Sequence, residues 1–153
     1  MKQYLSWISM GLMAVGLVGL TIFTALAKTR PFHLVEQGRL SFGTDGTVTA
    51  EGTGTATHLG SITIHRTFTL KQIPGETDLQ VDGQATLTAA NGDLLESSIK
   101  GTLNPTTGRA VLTYEWKGGT GRFRDATGTT LWLVDVDAIH QTYDLVADGV
   151  IDF

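Results

Sequence analysis

Two charged residues stand where apolar ones are expected. Glu36 shares a strand face with Leu34, Leu40 and Phe42, and Arg66 shares one with Ile62, Ile64, Phe68 and Leu70. A charge on a buried face is costly unless it is paired. An acid and a base inside a fold could contact a ligand or move a proton. They could equally form an internal ion pair, or sit at strand ends where water reaches them. Tyr114, Trp116 and Trp132 lie on neighbouring inward faces. They read as core aromatics, or as the walls of an apolar pocket if the interior is not filled. Glu36, Arg66, Tyr114, Trp116 and Trp132 are therefore the candidate ligand-binding residues, and no catalytic residue is assigned.

Other reactive types carry less. His58 sits in a turn and His65 points away from the apolar face; a lone histidine is more often a hydrogen-bonding residue than a base. Asp135, Asp137, His140 and Asp144 cluster around one turn, but with no EF-hand spacing. No metal is expected. The glycine-rich stretch at 118–128 has neither GxGxxG nor GK[ST], so no nucleotide and no cofactor is implied. The absence of cysteine excludes disulfides, thiolate metal sites, a thiol nucleophile and an acylated-cysteine anchor.

The elements that position these residues are strands. Past residue 27 no helical period survives. Runs of about ten alternating residues recur, separated by turn signals at Thr44-Asp45-Gly46, Pro74-Gly75, Asn91-Gly92 and Thr107-Gly108. Between Thr47 and Thr57, Gly52 and Gly54 flatten one side, so that a neighbour can come close. No crossover helix is available, so the order is antiparallel. About eight twisted strands must close or fold over to protect their edges. The fold class is thus all-β, a closed antiparallel barrel whose interior admits side chains or one small ligand.

The chain of 153 residues divides once. Residues 1–27 hold one basic residue, Lys2, and no acid. Leu5–Leu26 is apolar and ends in Ala25-Leu26-Ala27, the small-x-small pattern of a cleaved export signal. A retained hydrophobic helix is the rival reading, since 23 residues at Leu5–Ala27 span a bilayer. Either way residues 28–153 form one exported domain, periplasmic or secreted, or held outside the cytoplasm by an anchor. Membrane contact is expected only through residues 5–27. That domain has ten Lys and Arg against fifteen Asp and Glu, which argues against nucleic acid.

Gly118-Gly119-Thr120-Gly121-Arg122-Phe123-Arg124-Asp125-Ala126-Thr127-Gly128 resembles the GGTGxFxxAxG segment of dirigent proteins and the similar segment of allene oxide cyclases. Both families are small eight-stranded barrels, usually oligomeric. Ala56–Gly60 and Ala89–Asp93 are similar to stretches of small secreted bacterial proteins of unknown function near that superfamily. The resemblance implies a barrel and a possible homo-oligomer, with Gly118, Gly119, Gly121, Phe123, Ala126 and Gly128 as a structural corner and Phe123 stopping one mouth. Phe32–Gly43 lacks the acidic, Asn-bearing first strand of the cyclases, and the dirigent cavity motifs are missing. No catalytic residue carries over. The sequence reads as a non-catalytic barrel that binds a small apolar ligand or a partner, or acts structurally; the alternative is a cyclase- or isomerase-like enzyme acting on a small apolar substrate in the lumen.

Overall fold

A computed structural model describes residues 28–153. The hydrophobic segment at 1–27 lies outside the described residues. Eight strands follow in order: β1 (Thr29–Phe42), β2 (Thr47–Ala56), β3 (Gly60–Gln72), β4 (Leu79–Thr88), β5 (Leu94–Leu103), β6 (Arg109–Gly119), β7 (Thr129–Asp137) and β8 (Thr142–Asp152). Each pairs antiparallel with its sequence neighbours, and β8 pairs with β1 from Thr29↔Asp152 to Arg39↔Thr142, closing the barrel. Closure leaves no edge strand among the described residues.

The period-2 pattern fixes what lies inside. On β6, Ala110, Leu112, Tyr114 and Trp116 are buried while Val111, Thr113, Glu115 and Lys117 face out. On β7, Thr130, Trp132 and Val134 are buried and Leu131 and Leu133 are half-exposed. β1 begins at Thr29, because its first residues pair with the last residues of β8. Phe42, expected on the core face, is half-exposed because β1 ends there at the rim.

The two mouths differ. At one, the expected corner is a bend with a single 3-10 turn at Gly121–Phe123. Thr120 is tied to Leu94 through its N–H (2.9 Å) and its Oγ1 (2.8 Å). Gly121 has φ +54°, in the left-handed region, and a Cβ there would run into the Asp93 carboxylate. The bend turns Phe123 inward, where it is fully buried and meets Phe153 edge-on at 5.0 Å. Leu59, Ala89 and Ala126 are buried around it. The opposite mouth is formed by the turns at 43–46, 73–78, 104–108 and 138–141. Among the described residues nothing comparable to Phe123 crosses it, and Phe68, Leu70, Leu103 and Val136 around it are only partly buried.

Candidate functional site

Midway along the barrel, β1 and β3 bring Glu36 and Arg66 together. Both side chains are almost wholly removed from solvent. Arg66 Nη1 donates to Glu36 Oε1 at 2.8 Å and Nη2 to Oε2 at 2.5 Å, a two-pronged pairing that suits a planar guanidinium. Arg66 Nη1 also donates to Tyr143 Oη (2.8 Å), and Tyr143 Oη donates to Glu36 Oε1. Arg66 Nε donates to Tyr114 Oη at 2.6 Å. Tyr114 stacks on Trp132 with centroids 3.8 Å apart, and the guanidinium lies 5.2 Å from the Trp132 ring. Trp132 Nε1 donates to Thr130 Oγ1.

Small residues make the room. Arg66 stands between Ala50 on β2 and Ala85 on β4 in the strand register. Tyr143 lies opposite Gly38, which itself faces Gly52. A Cβ on Gly52 would overlap the Glu36 carboxylate and the Tyr143 hydroxyl, and one on Gly38 would overlap the Tyr143 ring. The flat side of β2 is thus the bed for a phenol and a carboxylate.

The electrostatics follow from burial. Desolvation works against the Arg66 charge, but Tyr114, Glu36 and Tyr143 outweigh it and hold its pKa above the usual value. Burial pushes Tyr114 up from 10 to about 12, with Arg66 opposing, and also raises Tyr143. Both phenols therefore keep their protons at neutral pH.

The network floors an apolar funnel. A cavity of about 60 Å³ runs in from the open mouth between Phe42, Phe68, Leu70, Leu103, Leu112 and Val136, and ends against Arg66, Tyr114 and Tyr143. Ligand pockets for drug-sized molecules occupy roughly 300–1,000 Å³. This one admits the end of a small molecule.

Of the five sequence candidates, Glu36, Arg66, Tyr114 and Trp132 meet in one cluster. Of the five only Arg66 and Tyr114 line the cavity; Trp116 packs toward the plugged end against Phe32 at 5.2 Å. Its indole N–H and the Ser97 hydroxyl, on paired positions of β6 and β5, are buried without a partner among the described residues. Tyr143 was legible only as an inward residue of β8. Its polar role depends on the β8–β1 register that sets it over Gly38. His58 adopts φ 67° and bonds the Pro31 carbonyl at 3.0 Å, away from the lumen. Asp137 bonds His140 Nδ1 (2.6 Å) at the surface, and no group of three potential metal ligands converges among the described residues.

No protein-family model matches the chain, and no curated protein sequence does either. Among solved structures it is similar to that of the pterocarpan synthase dirigent protein GePTS1, with a TM-score of 0.54 over 82% of this chain and 91% of that one, at 15% identity. The fold is a dirigent-type barrel. At that identity the dirigent likeness concerns architecture alone.

Removing one partner of a buried ion pair leaves the other uncompensated, at a cost of about 3–5 kcal/mol. Glu36→Ala is expected to lose about that much in urea denaturation, whereas Glu36→Leu with Arg66→Met recovers most of it. A double variant as unstable as the single would mean that the pair itself is stabilising. The raised phenol pKa values set a second expectation. The folded state holds these protons to higher pH than the unfolded chain does, so the stabilisation is complete below pH 10 and is lost as pH rises toward 12. Urea midpoints should fall over that range, and less steeply in Tyr114→Phe; parallel curves would contradict the assignment.

Proposed function

We propose that the chain is an exported β-barrel module that binds a small apolar ligand at its open mouth and does not transform it. One observation carries this reading. The acid and base that chemistry would need, Glu36 and Arg66, are spent on each other: both carboxylate oxygens accept guanidinium N–H bonds, and Glu36 Oε1 also accepts from the Tyr143 hydroxyl. A general acid or base must reach the proton it moves, and neither has that freedom here. The rival reading, a cyclase- or isomerase-like enzyme, requires a lumen that encloses its substrate, and about 60 Å³ is too small for a fused-ring molecule. GePTS1 is described as a pterocarpan synthase; with 15% identity, support for a related activity here is confined to the shared barrel. Export rests on Lys2, the apolar run after it and Ala25-Leu26-Ala27.

Assembly has its own support. Val111, Leu133, Val146 and Val35 are half-exposed and stand side by side across β6, β7, β8 and β1. An uncharged row of this kind suits the same row on a second copy, packed sheet against sheet about a twofold axis.

Methyl NMR of the protein titrated with toluene should show weak binding that shifts the Leu70, Leu103 and Val136 methyls and is abolished by Leu70→Trp, which fills the funnel. Turnover of any substrate that depends on Glu36 would overturn the non-catalytic reading. In sedimentation velocity the protein should be oligomeric and Leu133→Glu monomeric. A wild-type monomer at high concentration removes the second-copy reading.

A further inference from the structure

The floor of the funnel has more donors than acceptors. A guanidinium carries five N–H bonds and a phenol one O–H. Arg66 uses four: Nε to Tyr114, two from Nη1 to Glu36 and Tyr143, and one from Nη2 to Glu36. The second Nη2 N–H has no acceptor among the described residues. Tyr143 both accepts and donates, so it is complete. Tyr114 only accepts: its oxygen takes the Arg66 Nε proton, and no acceptor among the described residues takes its own. Tyr114 is fully buried, and both it and Arg66 line the cavity. A buried donor without an acceptor is costly, so native structures rarely leave one. Burial also keeps the phenol protonated, as a donor, up to about pH 12.

The charge at this floor is already balanced. Glu36 neutralises Arg66 through two hydrogen bonds, so an anionic ligand would meet a carboxylate as well as a guanidinium. A neutral acceptor meets no such opposition. The walls above are apolar, which suits carbon beyond the acceptor atom.

We infer that the floor of the open-mouth funnel is a donor site for the carbonyl oxygen of a small neutral ketone or aldehyde, with Tyr114 Oη donating to it, Arg66 Nη2 beside it, and the carbon chain lying toward Leu70 and Leu103. The inference rests on the ligand-binding reading above and names the ligand's chemistry. Arg66 acts twice here, since its bond to the Tyr114 oxygen polarises the phenol and makes its O–H a stronger donor.

The test compares 2-pentanone with 2-methyl-1-pentene, which replaces C=O by C=CH2 in the same outline. The full-length gene is expressed and the protein recovered as the cell processes it, and binding is titrated by NMR. The ketone is expected to bind about 5- to 10-fold more tightly than the alkene, the worth of one good hydrogen bond. In Tyr114→Phe the two should bind alike. The bound ketone's C=O stretch should shift to lower frequency in the wild type, a readout that does not need the variant to fold. Equal binding of ketone and alkene, or an unshifted stretch, overturns the donor site and leaves the mouth as a plain apolar pocket. Tighter binding of pentanoate overturns the neutral class. Binding of none of the three overturns the ligand-binding reading together with the donor site.

Discussion

One guanidinium sits in the middle of a ring of strands, and the interior is arranged around keeping it charged. Burying Arg66 demands a carboxylate, two phenol oxygens and flanking alanines, drawn from β1, β2, β4, β6 and β8. A buried pair of this kind is no strong source of stability, because desolvation offsets most of the attraction. Its effect is on specificity of arrangement. A strand slipped by one residue would turn Glu36 or Arg66 to the outside and strand its partner. The network therefore ties the register of distant strands together, and β8 with them through Tyr143.

That layer also divides the lumen. Toward Phe123 the interior is filled by Phe32, Leu34, Leu87, Leu95, Ile99 and Trp116, all buried. Toward the turn at 73–78 the walls are apolar but do not meet. The two halves differ in filling: one is packed core, and the other holds a shallow cavity with a polar bottom. The plug and the cavity are separated by side chains that cannot easily be replaced one at a time.

Much of this was readable from residue order. Alternation and turn residues give eight strands with boundaries near those observed, since a barrel interior enforces period 2 on every strand. The glycine corner was legible because its close approaches exclude most other residues, as Asp93 against Gly121 illustrates. Glu36 and Arg66 stood out as charges on apolar faces. That they meet was not legible: thirty positions separate them, and only closure of the sheet decides which inward residues face one another. The polar role of Tyr143 is hidden for the same reason, because a tyrosine on an inward face reads as packing until its hydroxyl has partners. Trp116 and Trp132 look alike in sequence, and both are buried, yet their positions along the barrel axis send one toward the plugged end against Phe32 and the other to the middle layer against Tyr114 and Arg66.

The strand pair that closes the barrel begins at Thr29↔Asp152, on the plugged rim. The chain thus enters the barrel at its closed end, as a stem meets the base of a goblet, and the open mouth faces the opposite way, a full strand length from that point of entry.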